Sequence, residues 1–288
     1  GSTIDDVTIT TLDANGADGT EASITGGFSN VESLTGNSGS LTGLNAAATW
    51  NIDAVPDYTS GGNSVAFSGF SILNGGNDDD LLDVTAGSAV TLTFNGGGQT
   101  TRDGIRVTGD ATDDAIVSTP SGTDSGTLAI DHDTGGTDAT ITYGGLEPID
   151  IVNVPLVTLN ATAAADTINI DSGTLFFAGT NAVVISSASF ENHAVRGATT
   201  LTISGGDGDD IVNLNATSGT NAAVTNLTVA LDDGNDADQI DVAGAVDFGG
   251  TVSLSAGNTI TDGGGSITAS TAVLQTRVGN IGGAGAAA

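Results

Sequence analysis

The chain contains no cysteine, methionine or lysine, and its positive charge comes from four arginines. Without cysteine, a disulfide framework and a thiolate metal site are both excluded. Against 35 acidic residues and a formal net charge of −31, these arginines cannot form a cationic groove. Nucleic acid and anionic membrane surfaces are therefore excluded as partners. No apolar run approaches the ~20 residues that cross a bilayer, so no membrane span is expected.

The absence of sulfur also bears on location. A chain with neither cysteine nor methionine offers little that oxidises, which suits an extracellular protein, although a cytosolic protein can also lack cysteine. The sequence does not begin with methionine. We expect a mature piece or excised fragment of a protein that is extracellular, secreted or attached to the cell surface.

Helix signals are also scarce. The acidic residues are nearly all Asp, which favours turns, and no stretch keeps the i, i+3, i+4, i+7 apolar pattern of an amphipathic helix. Short runs with period-two alternation recur instead, such as 90–94 and 200–203, and are separated by Gly, Asn and Asp clusters. This pattern predicts strands joined by turns. Hairpin signals between two strong strands are few, which disfavours a row of β-sandwiches.

One nonapeptide carries the most information. The run Gly205-Gly206-Asp207-Gly208-Asp209-Asp210-Ile211-Val212-Asn213 fits the Gly-Gly-x-Gly-x-Asp-x-apolar-x repeat of calcium-binding parallel β-rolls. Related clusters precede Asp80 and Asp238. Because Ca²⁺ takes six to eight hard oxygen ligands, these clusters predict calcium sites. The candidate ligands are Asp80, Asp210, Asp238, Asp79, Asp209, Asp236, Asn77 and Asp207.

An alternative needs no metal. Isolated motifs supply half a calcium shell, and Asp side chains also cap turns by accepting bonds from nearby backbone N–H groups.

An Asp in the position of Asp210 recurs along the chain and begins a repeated pattern. An apolar residue follows two positions after each of the aligned acids, which are Asp80, Asp114, Asp166, Asp210 and Asp238. Each Asp is therefore predicted to end a turn and begin a strand with alternate residues inside. We expect Ile168, Ile211 and Ile240 to point inward, although the register of the other repeats favours Val212 over Ile211 for the core face. Trp50 occupies an inward position where Ala48 replaces the acid.

Longer segments resemble known repeats. The stretches 28–36, 41–52, 65–80 and 257–274 resemble the repeats of giant bacterial surface proteins, of the filamentous-haemagglutinin and repeats-in-toxin types. The resemblance covers most of the chain but lacks tandem nonapeptides. It implies an extracellular adhesin or fibre segment, possessing a β-solenoid fold, and calcium as a cofactor.

Enzyme activity, metal binding by histidine and ice binding each have a simpler structural explanation. A calcium-dependent polysaccharide lyase or hydrolase is the alternative function, but a lyase needs cationic groups, and Asp103 between Arg102 and Arg106 is more simply a loop ion pair. His132 and His193 are expected to be solvated or hydrogen-bonded rather than metal ligands. Thr-x-Thr pairs could bind ice or mineral, but their irregular spacing predicts that they do not align.

The sequence therefore predicts an all-β protein: an elongated, irregular, mostly parallel β-helix, or β-solenoid, with little or no α-helix. Residues 1–281 are expected to form one domain and 282–288 a flexible Gly/Ala tail or linker. The predicted function is structural and adhesive rather than enzymatic. The expected partners are identical subunits or adjoining domains of the same giant protein, through Val7 to Thr10 or Ala272 to Val278, together with cell-surface glycans or matrix.

Overall fold

The fold is seen in a computed structural model, which describes residues 6–85, 87–88, 90–110, 115–132, 138–231, 234 and 236–282. Almost all regular structure is strand. In chain order the elements are β1 (Val7–Asp13), β2 (Gly16–Glu21), β3 (Phe28–Val31), β4 (Ser33–Thr35), β5 (Ser40–Thr42), β6 (Ala48–Ile52), β7 (Asp57–Ser60), β8 (Asn63–Ser68), β9 (Ile72–Asn74), β10 (Asp80–Thr85), β11 (Thr91–Asn95), β12 (Gly104–Thr108), β13 (Ala115–Gly122), β14 (Ser125–Asp131), β15 (Ala139–Gly144), β16 (Ile149–Val152), β17 (Leu156–Asn160), β18 (Thr167–Thr174), β19 (Asn181–Ser187), β20 (His193–Arg196), β21 (Thr200–Ser204), β22 (Ile211–Leu214), β23 (Thr217–Ser218), α1 (Gly219–Ala222), β24 (Asn226–Leu231), β25 (Gln239–Val242), β26 (Ala245–Asp247), β27 (Thr251–Ala256), β28 (Thr259–Asp262), β29 (Ser266–Thr268) and β30 (Thr271–Thr276).

These strands form two long sheets and a short one. Sheet A is 14-stranded, in the order β3-β2-β1-β5-β9-β11-β15-β14-β13-β17-β21-β24-β27-β30. Sheet B is 13-stranded, in the order β28-β25-β22-β18-β19-β20-β16-β12-β10-β6-β7-β8-β4, and sheet C is 3-stranded, in the order β23-β26-β29. Along much of the chain a strand of sheet A leads through a turn into a strand of sheet B, and most neighbouring coils pair in parallel. The predicted all-β, mostly parallel solenoid is confirmed.

Alternating side chains fill the space between the sheets. In β10, Leu82 and Val84 are buried while the residues between them face outward. One hydrophobic cluster runs from Val7 to Ile260. Because each coil alone cannot bury its apolar face, stacking of coils creates the core.

The predicted core positions are mostly confirmed. Ile168, Ile240 and Trp50 are fully buried. The expectation for Ile211 is wrong: its side chain is 37% exposed, and Val212 points inward instead. The reason is the two-residue period of the strand, which places neighbours on opposite faces.

Antiparallel meanders interrupt the parallel coils. Sheet B contains β6-β7-β8 and β18-β19-β20, and sheet A contains β1-β2-β3 and β13-β14-β15. The sequence signals for hairpins were too weak to predict them. In the β13-β14-β15 meander, β13 pairs with the later strand β17, while β15 pairs with the earlier strand β11. The spacing between repeats is irregular because these insertions lie between the coils.

The expected outer strand is found at one end of the solenoid but not at the other. The segment Val7 to Thr10 was expected to be an exposed edge, but β1 pairs with both β2 and β5, so β3 is the outer strand of sheet A. At the other end the expected segment does supply the outer strand, β30. Residues 283–288 of the expected tail lie outside the described residues.

Candidate functional site

Acidic residues occupy one equivalent position along sheet B. The register aligns the residue just before or at the start of successive strands. In spatial order this acidic column contains Asp80, Asp103, Glu147, Glu191, Asp166, Asp210 and Asp238. The strand β19 lies between the coils of Glu191 and Asp166. Apart from Glu147, every member of the column is buried.

The aspartates of the column tie successive coils together. The N–H of Asp80 donates to Oδ1 of Asp103 at 2.7 Å. The N–H of Asp166 donates to Oδ1 of Asp210 at 2.8 Å, and the N–H of Asp210 donates to Oδ1 of Asp238 at 3.0 Å. A buried N–H must find an acceptor, and here the next coil's carboxylate provides it.

The first aspartate of each linked run, Asp80 or Asp166, closes a turn in its own coil. Oδ2 of Asp80 accepts the N–H of Gly76 at 2.7 Å. Oδ2 of Asp166 accepts both the N–H and the hydroxyl of Thr162, each at 2.8 Å. These are the turn-capping bonds of the metal-free alternative.

The glycines of the motif have a steric role beside these acids. A Cβ at Gly205 would lie 2.6 Å from Oδ2 of Asp210, and one at Gly75 would lie 2.6 Å from Oδ2 of Asp80. Gly206 and Gly208 adopt positive φ angles of 85° and 113°. The nonapeptide therefore encodes a tight turn packed around a buried carboxylate.

Burial changes the acidity of the first two members. It raises the pKa of Asp80 to about 7, with Asp103 and Asp78 adding repulsion and the Gly76 N–H opposing it. Burial likewise raises the pKa of Asp103 to about 6, against the bond from Asp80 and with repulsion from Asp79. Near neutral pH this pair therefore holds protons that exposed aspartates release.

The flanking candidate ligands also bond backbone. Oδ1 of Asp79 accepts three successive N–H groups, from residues 100–102, at 2.6 to 3.0 Å. Oδ1 of Asp209 accepts the N–H of Ala237 at 2.8 Å, and Oδ2 of Asp236 accepts the N–H of Gly208 at 3.3 Å. Asn77 and Asp207 are exposed. All the candidate ligands thus lie in the turns that lead into sheet B.

These contacts favour the capping interpretation, and calcium at these residues stays a prediction. Among the residues described, no group of three or more His, Cys, Asp or Glu side chains is arranged to hold a metal. Asp233 and Asn235, which precede Asp238 in its turn, lie outside the described residues.

Three members of the column were not predicted from the sequence. Asp103 was interpreted as part of a loop ion pair, but it is buried and bonds Asp80 rather than an arginine. Apolar residues follow Asp103 at plus two and plus four, in the run Asp103-Gly-Ile-Arg-Val107. Glu147 is followed by apolar residues at the same two positions, and Glu191 by one at plus four. This spacing could have identified all three. The aligned Asp114 lies outside the described residues, and the strand after it belongs to sheet A, so its motif is not equivalent.

A polar cluster crosses the core next to Glu191. The ring of His193 lies 2.7 Å through Nδ1 from the Glu191 carbonyl oxygen and 2.8 Å through Nε2 from the Ser118 hydroxyl. Because a carbonyl only accepts, Nδ1 carries the proton and Nε2 accepts from Ser118. Burial lowers the pKa of His193 to about 4, so the ring is neutral. Ser118 is 0% and His193 1% exposed, so this serine–histidine pair has no access to a substrate.

The arginines are engaged in structural contacts. Three donate to backbone carbonyls at 2.8 to 2.9 Å, namely Arg102 to Phe176, Arg196 to Asn181 and Arg277 to Asp236. Arg106 forms a bidentate ion pair with Asp83. These contacts join coils and hold the β18–β19 hairpin rather than converging on a groove.

Threonines align on the outer face of sheet A, contrary to expectation. Thr93 lies beside Thr142, which lies beside Thr127 and then Thr119 on the following strands. A second rank contains Thr158, Thr202 and Thr228. The meanders bring these residues into register although their sequence spacing is irregular.

In the part of the chain that the structure describes, no helix has both the length and the apolarity to cross a membrane. Comparison of the chain with protein-family models, curated proteins and solved structures finds no match.

Proposed function

We propose that the chain is a structural and adhesive segment of an extracellular bacterial surface fibre or giant adhesin, and that its units join end to end. The observation that carries this proposal is the apolar mouth at the β30 end. A cavity of about 270 Å³ opens there between the sheets, lined chiefly by apolar side chains that include Ile260, Ile267, Leu274 and Ile281.

The edge beside this mouth supports the same conclusion. Among the described residues, no strand pairs with the outer side of β30. Val273 is 37% exposed on that strand, and Val278 is 76% exposed just after it. An unpaired strand next to exposed apolar side chains favours pairing with another chain or domain.

The opposite end also carries an apolar cavity. A cavity of about 310 Å³ lies beside β3 and β4 and contains Val7, Ile24, Phe28 and Leu34 in its lining. Two different apolar ends favour head-to-tail contacts, which generate filaments when the contact does not close into a ring. Cell-surface glycans or matrix remain the proposed adhesive ligands.

Association at increasing concentration tests this proposal. Analytical ultracentrifugation should show the wild-type chain forming oligomers, and electron microscopy should show them extended along one axis. Ile281→Lys places a charge at the mouth and should abolish association. Leu156→Lys is the matched control, because Leu156 is 52% and Ile281 51% exposed but Leu156 lies on the side of sheet A. A monomeric wild type, or equal effects of both variants, would refute end-to-end assembly.

The threonine ranks favour ice or mineral binding as a second candidate. Strands about 4.8 Å apart place these hydroxyl groups in two short rows across sheet A. Thr142→Tyr should reduce ice recrystallisation inhibition, whereas Thr167→Tyr on sheet B should not. The absence of inhibition by the wild type would remove this candidate.

A further inference from the structure

A buried carboxylate in the acidic column lines a small acidic cavity. Glu191 is 2% exposed, and its Oε1 has no hydrogen-bond partner. The cavity has a volume of about 200 Å³, and its lining includes Glu147, Thr123, Ser187 and Asn192 beside Glu191. A buried carboxylate oxygen without a donor costs free energy unless a proton or a cation compensates it.

The missing partner follows from the register. Three members of the column, Asp103, Asp210 and Asp238, accept the N–H of the preceding member through Oδ1. For Glu191 the preceding member is Glu147. The N–H of Glu147 already donates to the carbonyl oxygen of Asp103 at 2.8 Å. The bond that would satisfy Glu191 is therefore unavailable.

No protein cation compensates the site. All four arginines are engaged elsewhere, and the chain has no lysine. Burial, followed by the charges of Glu147 and Asp124, raises the pKa of Glu191 to about 8. The cavity therefore combines two carboxyl groups with neutral oxygen donors.

We propose that Glu147 and Glu191 bind a divalent cation in this cavity, with Ca²⁺ as the best match. Two carboxylates, the hydroxyls of Thr123 and Ser187 and the amide oxygen of Asn192 form a hard, all-oxygen donor set. Water completes the shell, because the two glutamates are the only carboxylates lining the cavity. This site is separate from the predicted turn sites at Asp80, Asp210 and Asp238.

Thermal unfolding in chelator, Ca²⁺ or Mg²⁺ is the first test. A ligand bound only by the folded chain raises its melting temperature. The wild type should therefore melt higher in Ca²⁺ than in equal Mg²⁺, which controls for screening of the surface charge. Glu191→Gln keeps the shape but removes the ionisable carboxyl group. It should melt close to the wild type in chelator at neutral pH, where the raised pKa keeps Glu191 protonated, but it should lose the calcium response and bind the ion about tenfold or more weakly.

Terbium luminescence locates the ion. Burial raises the pKa of the Tyr143 hydroxyl, a hydrogen bond with Ser118 lowers it, and the charge of Glu191 raises it further. Tyr143 therefore lies near Glu191. Tb³⁺ in the proposed site should emit when Tyr143 is excited, and Tyr143→Phe should abolish that emission. An ion at Asp80 would instead be excited through Trp50, which contributes to the pKa of Asp80.

Glu32→Gln serves as the control, because Glu32 is exposed on the surface. It should leave both the calcium response and the terbium emission unchanged. The proposal is overturned if wild type and Glu191→Gln respond alike to Ca²⁺, if neither responds, or if emission depends on Trp50 rather than Tyr143. If neither protein responds to Ca²⁺, Glu191 is a protonated acid that needs no ion.

Discussion

The acidic column contains two stretches with the same register and different chemistry. From Asp166 through Asp210 to Asp238, the N–H of each aspartate donates to the carboxylate of the next, so Asp210 and Asp238 each accept a bond from the coil before. From Glu147 to Glu191 no such bond forms, and an acid-lined cavity takes its place. One equivalent position thus yields a link between coils in one region and a candidate ion site in the other.

The difference arises in the backbone. In the first stretch the carbonyl of Asp166 accepts the N–H of Ile211, one residue beyond the column. At Asp103 the carbonyl accepts the N–H of Glu147 itself. That single change in pairing takes away the donor on which the next carboxylate depends. It also shows that side-chain function in a solenoid depends on backbone register as much as on residue type.

The largest expected effect comes from the core that both stretches share. Ile168→Ala, beside the β19 meander, and Ile240→Ala, among regular parallel coils, should each cost ~2–5 kcal/mol, because each empties a fully buried site. Ile211→Ala is the control and should cost much less, since its side chain is 37% exposed. Urea unfolding measures all three. A small loss at Ile168 alone would show that the core is weaker beside the meanders.

Removing a linking carboxylate should have a smaller effect. Asp210→Ala leaves the buried N–H of Asp166 without its acceptor and should cost ~1–3 kcal/mol. Asp207→Ala in the same turn changes an exposed residue and should stay within ~0.5 kcal/mol. Unfolding both variants in chelator keeps any bound ion out of the comparison. Equal losses would mean that the link contributes nothing.

The sequence predicted much of this column and missed its most unusual part. Alternation and the Asp anchors were sufficient for the fold class, for Trp50 and for the inward position of Ile240. Apolar residues follow Asp103 at plus two and plus four and Glu191 at plus four, but these two were missed because arginines flank Asp103 and because Glu replaces Asp at position 191. The meanders were missed because their turns, such as 61–62, lack two strongly alternating flanks. The loss of the Glu191 donor depends on Pro148, which lacks the N–H that the register would otherwise bring to the Asp103 carbonyl, so its effect cannot be seen until the register is known.

Stability should also depend on pH through the first two members of the column. With pKa values raised to about 7 for Asp80 and about 6 for Asp103, the folded chain holds protons between pH 4 and 7 that the unfolded chain releases. Their contribution is fully present below pH ~4 and is lost as pH rises through 6 and 7. Unfolding free energy from this pair should fall between pH 5 and 8 by a few kcal/mol, at about 1.4 kcal/mol for each pKa unit titrated.

Other buried groups also affect the pH profile, among them Asp150, whose pKa burial raises, so the test compares slopes. Glu191, with its pKa raised to about 8, acts in the same direction, whereas His193, with its pKa lowered to about 4, destabilises the fold as pH falls below ~6.5. Asp80→Asn keeps the shape of the protonated acid. It should flatten the fall between pH 5 and 8 relative to wild type, while Glu191→Gln should flatten it at higher pH. An unchanged slope in Asp80→Asn would show that this pair does not retain protons.

The smallest effect should come from charge pairing outside the column. Arg106 and Asp83 join the same two coils as Asp103 and Asp80, but on the solvent side, with side chains 29% and 23% exposed. Arg106→Gln should therefore cost about 0–1 kcal/mol, and less at high salt, because solvent and ions screen the pair. Urea unfolding at low and high salt measures this. A loss as large as that of Asp210→Ala, and independent of salt, would place the linkage between coils in the ion pair rather than in the buried carboxylates.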